Sequence, residues 1–339
     1  MSERTAVRGT AGPAGERVRS QNWLPHMGYD ALLLISFGGP EKIEDVIPFL
    51  ENVLRGRNVP HERLLAVAEH YYHFGGRSPI NDQCRDLISA LESAGVGLPI
   101  YWGNRNWHPM LGDTVRKMKE DGIGRALAIA TSAFGSYSGC RQYREDIEAA
   151  RAAVEGAPEI DKLPPFWGEA GFVGAMTDRV REALEKLPGA EVVYTAHSVP
   201  VSMAQSSPYE QQLREASRRV NAALGLGDPV LAYQSRSGPP TQPWLEPDIG
   251  DYIRGMASKR LVVAPIGFLS DHMEVIYDLD FEAAALAKEQ GIEMVRAGTP
   301  GTHPKFVTGL VELVRGAMAN GVVQCAPDCC QRMARPGRP

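Results

Sequence analysis

Short apolar runs alternate along the chain with longer segments whose apolar residues recur at helical spacing. Residues 31–37 (ALLLISF) lack polar alternation, which predicts a strand buried on both faces. Five more strands are predicted at residues 100–102, 126–131, 192–196, 230–234 and 261–268. Helical spacing predicts helices between them, including residues 43–54, 208–224 and a last helix near residues 304–317.

This alternation predicts an α/β protein with two doubly wound, Rossmann-like domains, each built on a parallel sheet, and a cleft between them. The first domain is predicted at residues 28–134 together with the C-terminal helix at about 304–318, and the second at residues 135–303. Residues 1–27 are interpreted as a disordered extension and residues 319–339 as a Cys-containing tail. Since ligands of such sheets bind beyond the carboxyl ends of the strands, residues directly after each strand are candidates for chemistry.

Charge and motif content exclude several classes of function. The 339 residues include 36 Lys and Arg against 41 Asp and Glu, a net charge of −5 that argues against a nucleic-acid partner. The apolar runs are far shorter than the roughly 20 residues that span a bilayer, and residues 1–27 lack the apolar block of a secretory signal. We therefore expect a cytoplasmic monomer without integral membrane association. The chain has no GxGxxG, GxxxxGK[ST], HExxH or GxSxG motif, so no nucleotide cofactor is expected.

A first candidate site is TAHSVP, residues 195–200. His197 follows a predicted buried strand, and Pro200 prevents the strand from continuing. An imidazole at this edge of the sheet can act as a base near neutral pH. A hydrogen-bonded structural histidine is the alternative interpretation.

A second candidate site follows the strand predicted at residues 261–268. Glu274, Asp278 and Glu282 are spaced by four and would line one face of the ensuing helix. Carboxylate oxygens are hard ligands that suit a divalent cation. The alternative is an ordinary solvated acidic face.

Five segments resemble those of ferrochelatases: SFGGP (residues 36–40), GGRSPIN (75–81), TAHSVP (195–200), YQSRSGPPTQPWLEPD (233–248) and GFLSDHMEVIYDLD (267–280). GNRNWHP (103–109) and SYSGCRQYRED (136–146) resemble the actinobacterial branch. The resemblance implies a chelatase-type fold and an enzyme of haem biosynthesis that inserts Fe²⁺ into a porphyrin and releases two protons. It favours coproporphyrin III over protoporphyrin IX as substrate, and a downstream haem-pathway enzyme as a partner.

The resemblance also implies residue roles. His197 and Glu274 would be catalytic and would lie on opposite sides of the macrocycle centre, with Asp278 and Glu282 as outer cation sites. Porphyrin contacts are implied for Phe37, Arg55, Arg57, Ser78 and Tyr143. Guanidinium groups suit propionates, although Arg55 and Arg57 could equally complement a helix C-terminus. Phe37 stands where Firmicute relatives carry Tyr.

The five cysteines need a separate explanation, because three of them, Cys325, Cys329 and Cys330, fall within six residues. In a reducing cytosol, clustered cysteines favour metal or redox chemistry. A [2Fe–2S] cluster ordinarily needs four protein ligands. The fourth ligand would be Cys84, which is readily explained as a small buried hydrophobe, or Cys140. The resemblance to cluster-bearing ferrochelatases, which combine one internal cysteine with three at the end, implies Cys140 and an iron–sulfur cluster. A tetrahedral Zn²⁺ site with the same ligands is the alternative.

Three other functions are alternatives to iron insertion. A sirohydrochlorin-type cobalt or nickel chelatase usually places a His pair at the metal, whereas here Glu274 accompanies one His. A non-catalytic tetrapyrrole carrier needs neither a proton acceptor nor an acidic ladder. An iron–sulfur electron carrier would leave most of the chain without a role.

Overall fold

The computed structural model describes residues 28–56, 59–238 and 241–332. The described residues form two four-stranded parallel sheets, with strand orders β2-β1-β3-β4 and β6-β5-β7-β8. Together with helices that pack on the sheets, this confirms the predicted fold class. The strands are β1 Ala31–Ser36, β2 Ile100–Asn104, β3 Arg125–Ala130, β4 Glu159–Lys162, β5 Glu191–His197, β6 Val230–Gln234, β7 Arg260–Ala264 and β8 Glu293–Arg296.

Helices connect the strands and include two π-helical segments, Tyr137–Arg141 and Ile276–Ala283. A short 3₁₀ turn, Ile43–Asp45, precedes the first α-helix. The α-helices are α1 Val46–Leu54, α2 His61–His73, α3 Ile80–Ser93, α4 Leu111–Glu120, α5 Gln142–Ala152, α6 Ala170–Lys186, α7 Val201–Gln205, α8 Tyr209–Leu224, α9 Ile249–Gly255, α10 Met273–Val275, α11 Ala284–Glu289 and α12 Pro304–Asn320.

The six strands that the sequence predicts are β1, β2, β3, β5, β6 and β7, which include all four interior strands and two of the four edge strands. All six residues of β1 are buried, because β1 lies between β2 and β3 with helices on both faces. The edge strands β4 and β8 escape prediction because their sequences, EIDK and EMVR, are short and half-exposed. β7 ends at Ala264 rather than at residue 268, since Pro265 lacks the N–H that would continue the ladder.

Sheet membership differs from the predicted division between residues 134 and 135. β4 pairs in parallel with β3, so the first sheet continues to Lys162, with α5 as the crossover. The last helix, α12, packs against α6 as well as α3. One buried apolar cluster contains side chains from both sheets and from α12, including Leu34, Tyr194 and Phe306. The two halves therefore share a core.

Two glycines allow loops at the carboxyl ends of strands to approach their neighbours. A Cβ on Gly39, after β1, would lie 2.7 Å from the Cβ of Ser78. A Cβ on Gly267, after β7, would lie 2.5 Å from the Cβ of Ala196. Both distances are shorter than real Cβ contacts, so only glycine allows this packing. The second approach places the loop before α10 directly beside the end of β5.

A satellite cluster lies outside the main core. It joins α1 and α2 through Val46, Phe49, Leu50, Leu64 and Ala68, with Phe37 and Tyr71 packed against it. None of the helices in the described ranges has the length and apolar character needed to cross a membrane.

Candidate active site

His197 is the last residue of β5, and its side chain is 34% exposed. Its Nδ1 lies 2.6 Å from the carbonyl oxygen of Ser198. A carbonyl only accepts hydrogen bonds, so Nδ1 carries the hydrogen of the neutral ring and Nε2 keeps a free lone pair. That Nε2 can accept a proton or bind a metal.

Glu274 lies in α10, directly after the loop that packs on β5. Its Oε2 is 4.0 Å from His197 Nε2, and its side chain is 49% exposed. The structure therefore brings the two predicted catalytic residues together. An aromatic macrocycle needs about 3.5 Å of van der Waals distance on each face, so it cannot pass between atoms 4.0 Å apart. This arrangement differs from the opposite-side placement that the resemblance implies.

Asp278 lies in the second π-helical segment and turns toward the end of β6. It accepts hydrogen bonds from the hydroxyl of Ser235 and, at 3.2 Å, from Nε2 of Gln234. Burial, together with the nearby carboxylates of Glu274 and Glu282, raises the pKa of Asp278 to about 7. A carboxyl group with this pKa is partly protonated at neutral pH, and a bound cation would displace its proton.

Glu282 is exposed and lies near the contact between α2 and the π-helical segment. There the rings of His70 and Tyr277 are stacked, with centroids 3.9 Å apart and an interplanar angle of 10°. Burial lowers the pKa of His70, and Glu282 opposes this shift. Because this segment is π-helical, the three acidic residues do not share the single α-helical face that their spacing predicts, and each has different neighbours. Within residues 28–56, 59–238 and 241–332, no group of three or more His, Cys, Asp or Glu side chains is arranged to hold a metal ion.

Two of the predicted porphyrin contacts lie beside one arginine that the sequence analysis missed. Arg105 directly follows β2, and its guanidinium lies 5.8 Å from the ring centre of Phe37 and 4.7 Å from that of Tyr143. Its side chain is 8% exposed and pairs with Asp146. In the sequence, only its position directly after a strand marks Arg105 as a candidate for the site.

The other predicted porphyrin contacts have different surroundings. Ser78 is buried, and its hydroxyl accepts a hydrogen bond from the backbone N–H of Ile80 at 3.5 Å. Arg55 is exposed at the end of α1 and donates a hydrogen bond to Asn52. Arg57 lies outside the described residues.

Aromatic rings extend from Phe37 toward Glu274, one of the two predicted catalytic residues. Phe37 packs edge-on against Phe49, with centroids 6.2 Å apart, and Phe49 packs against Tyr71 at 5.7 Å. Burial, with an added contribution from the Glu274 carboxylate, raises the pKa of Tyr71. The ends of β1 and β5 thus border a common region.

His272 is a second residue that the sequence analysis did not assign. It forms the N-terminal cap of α10, and its ring packs against Phe268 at 5.2 Å. Burial lowers its pKa; Glu274 opposes this shift and His197 adds to it. In the sequence, its position two residues before Glu274 marks His272 as a candidate for the site.

The four predicted cluster ligands, Cys140, Cys325, Cys329 and Cys330, line one cavity of about 290 Å³. Cys329 and Cys330 have sulfur atoms 3.4 Å apart, and Cys330 adopts a left-handed backbone conformation with φ of 54°. Cys84 instead packs in the main apolar core.

Basic residues hold the cysteine-bearing tail. Arg141 donates hydrogen bonds to the carbonyl oxygens of Pro327 and Cys329, and Lys162 Nζ lies 3.5 Å from the sulfur of Cys140. Burial and the neighbouring Cys329 raise the pKa of Cys330 to about 12.

Comparison with known proteins identifies the family. The profile described as Ferrochelatase matches residues 29–318. The chain belongs to the ferrochelatase family. A ferrochelatase from Rhodopirellula baltica is 52% identical to this chain, and the alignment covers 92% of this chain and 95% of that protein. The coproporphyrin III ferrochelatases of Nocardia farcinica and Mycolicibacterium smegmatis are 49% and 50% identical, over 91% and 85% of this chain and 99% and 89% of their own.

Solved structures support the same fold for this ferrochelatase-family chain. The sirohydrochlorin chelatase SirB of Bacillus subtilis subspecies spizizenii, in complex with cobalt, matches with a TM-score of 0.56 and 11% identity, over 86% of this chain and 95% of SirB. CbiX, described as the terminal enzyme of sirohaem biosynthesis in denitrifying bacteria, matches with a TM-score of 0.53 and 15% identity, over 85% of this chain and 99% of CbiX. At such low identities the likeness concerns the two-domain chelatase fold alone.

Proposed function

We propose that this enzyme inserts Fe²⁺ into coproporphyrin III in haem biosynthesis and releases two protons. The observation that carries the proposal is the identity of 49% to a coproporphyrin III ferrochelatase over 91% of this chain. The local geometry supports it, since His197 and Glu274 supply a base and a carboxylate 4.0 Å apart at the end of β5.

The chemistry of the site follows from these two groups. Iron insertion replaces two pyrrole N–H protons with one Fe²⁺ ion, so the site must accept protons and attract a cation. His197 Nε2 has the free lone pair that accepts a pyrrole proton, and the Glu274 carboxylate stabilises the imidazolium that forms. Asp278, with a pKa of about 7, can exchange a proton or bind the incoming cation near neutral pH. Glu282, exposed near α2, would be the outermost cation site.

The contacts of Arg105 extend the proposal to the porphyrin. Arg105, Phe37 and Tyr143 form a cationic and aromatic surface after β1 and β2. Ser78 and Arg55 would contact propionates, of which coproporphyrin III has four. Charged hydrogen bonds from guanidinium groups suit these carboxylates.

A comparison of two porphyrins tests the proposed substrate. With anaerobic Fe²⁺, we expect kcat/KM for coproporphyrin III to exceed that for protoporphyrin IX by about tenfold or more. One additional charged hydrogen bond contributes about 1.5 kcal/mol, close to a tenfold change in rate. Insertion is followed by absorbance, with sirohydrochlorin and Co²⁺ as a control pair. A preference for protoporphyrin IX would contradict the coproporphyrin assignment, and turnover of sirohydrochlorin alone would contradict iron insertion.

We further propose that Cys140, Cys325, Cys329 and Cys330 hold a [2Fe–2S] cluster, as in the cluster-bearing branch of the family. Two observations support the proposal: all four residues line one cavity, and four thiolates are the common ligand set of this cluster. In the described residues the four sulfur atoms are not grouped as metal ligands, so cluster binding would have to draw them together. Lys162 and Arg141 add positive charge that would offset the charge of the thiolates. The cluster would supply one-electron redox chemistry at this site, and no step of iron insertion needs it.

Anaerobically purified protein is expected to be red-brown, with about two irons and two labile sulfides per chain. Cys140→Ser should remove the colour, because it removes one of the four ligands. The matched control Cys84→Ser should keep the colour, since Cys84 packs in the apolar core. Metal and sulfide analysis with absorbance spectra checks this. Colourless protein with one zinc per chain would contradict the cluster and indicate a zinc site with the same ligands.

The proposal includes a setting for the enzyme: a cytoplasmic monomer that passes its product to a downstream haem-pathway enzyme. The family supports the pathway, since relatives of about 50% identity are named coproporphyrin III ferrochelatases. Light scattering of the purified protein would test the monomer.

A further inference from the structure

Arg296, the last residue of β8, connects the two ends of the segment that contains Glu274 and Asp278. Its Nη1 donates a hydrogen bond to Oδ1 of Asp271 at 2.7 Å. Its Nε and Nη2 donate to the two carboxylate oxygens of Asp280 at 2.6 and 2.9 Å. Asp271 precedes α10, and Asp280 lies in the π-helical segment. One guanidinium therefore holds a segment of ten residues at both ends.

The segment needs such an anchor because its local structure does not fix it. α10 has three residues and passes directly into a π-helix, a geometry that is rare and concentrated at functional sites. The carboxylates of Glu274 and Glu282 lie close enough to Asp278 to repel its negative charge, which works against the segment. A bidentate guanidinium–carboxylate pair gives both a strong interaction and a defined orientation. With its side chain only 17% exposed, Arg296 is largely shielded from competing water.

Arg296 also relates the segment to His197. β5, which ends at His197, pairs with β7, and β7 pairs with β8, which ends at Arg296. The sheet is a rigid frame that sets the distance between these two strand ends. A second anchor comes from the first half, where Nε2 of Gln83 donates to the carbonyl oxygen of Asp271 at 3.0 Å.

We infer that Arg296 is a positioning residue for iron insertion, which fixes Glu274 and Asp278 relative to His197 through its bridge between Asp271 and Asp280. The inference rests on the proposed function, since the distance that it maintains matters only if His197 and the acidic residues act together. A displacement of about 1 Å in such a site can lower a rate by about 100-fold.

The test compares Arg296→Leu with Arg260→Leu. Arg260 lies at the opposite end of the same sheet, is 52% exposed and pairs with Glu293 at 3.8 Å, so its replacement removes a similar charge without touching the segment. For Arg296→Leu we expect kcat/KM for Fe²⁺ to fall about 10- to 100-fold. The dissociation constant for coproporphyrin III, from fluorescence, should change less than about twofold. Amide hydrogen exchange across residues 272–283 should accelerate in Arg296→Leu and not in Arg260→Leu.

Two further variants separate bridging from simple loss of charge. Arg296→Lys keeps the charge but lacks the planar guanidinium that binds both carboxylate oxygens of Asp280. Its kcat/KM for Fe²⁺ should therefore lie between the values of wild type and Arg296→Leu. Asp280→Asn should also lower kcat/KM for Fe²⁺. In the double variant it should add little to the effect of Arg296→Leu, because both substitutions remove the same interaction. These milder variants also carry the test if Arg296→Leu does not fold.

Several results would overturn the inference. Full activity of Arg296→Lys would show that charge alone is enough. A parallel loss of iron and porphyrin affinity, or exchange that accelerates over the whole chain, would indicate general destabilisation. If wild-type protein inserts no iron, the proposed function fails, and unchanged exchange at residues 272–283 in Arg296→Leu would independently reject the bridge.

Discussion

Replacing His197 with alanine is expected to lower kcat for iron insertion by about 100-fold or more while coproporphyrin III still binds. The change removes Nε2, the free lone pair at the end of β5, and a general base contributes about 10²- to 10⁴-fold to a rate. The fold should be kept, because the ring is partly exposed and its hydrogen bond is to an adjacent residue. Anaerobic insertion rates and porphyrin fluorescence titrations give the two quantities.

His61→Ala is the matched control for this experiment, since His61 is exposed at the start of α2. Its insertion rate should stay near that of wild type. Near-wild-type turnover of His197→Ala would instead leave His197 as a structural, hydrogen-bonded histidine.

The variant Glu274→Gln is expected to show a loss of turnover of similar size, about 100-fold. Glutamine keeps the shape of the side chain but removes the charge that lies 4.0 Å from His197 Nε2. Without that charge, the imidazolium formed during proton transfer is less stable and Fe²⁺ is less strongly attracted. Steady-state kinetics with varied iron and varied porphyrin give kcat and the two KM values, and a porphyrin titration gives the porphyrin affinity.

Glu289→Gln, at the exposed end of α11, changes the same charge away from the site and should leave the kinetics unchanged. If Glu274→Gln kept wild-type turnover, the Glu274 carboxylate would have no part in the chemical step. The two outcomes differ by far more than the precision of such assays.

The sequence was most informative where burial forces a continuous apolar run. β6 was predicted with its observed ends, and β1 to within one residue, because both strands are covered on two faces. β4 was invisible because an edge strand of four residues with mixed polarity resembles a loop.

The candidate site was predictable in its residues but not in its geometry. Parallel strands bring their carboxyl ends to one edge, which is why His197 and the segment after β7 could be associated in advance. Spacing by four suggested one α-helical face for Glu274 and Asp278, whereas the π-helical segment turns Asp278 toward β6. Arg296 was missed because its partners, Asp271 and Asp280, are distant in sequence and follow no periodic pattern.

The shared core of the two halves opposes motion of one sheet relative to the other. Side chains such as Leu34 and Tyr194 lie in one apolar cluster that α12 also joins, so a hinge motion between the sheets would expose much of it to water. The hairpin of α1 and α2 has its own small cluster and meets the second half through the His70–Tyr277 stack. Movement of this hairpin alone would expose only its own small cluster and the stacked rings, and would leave the shared core covered.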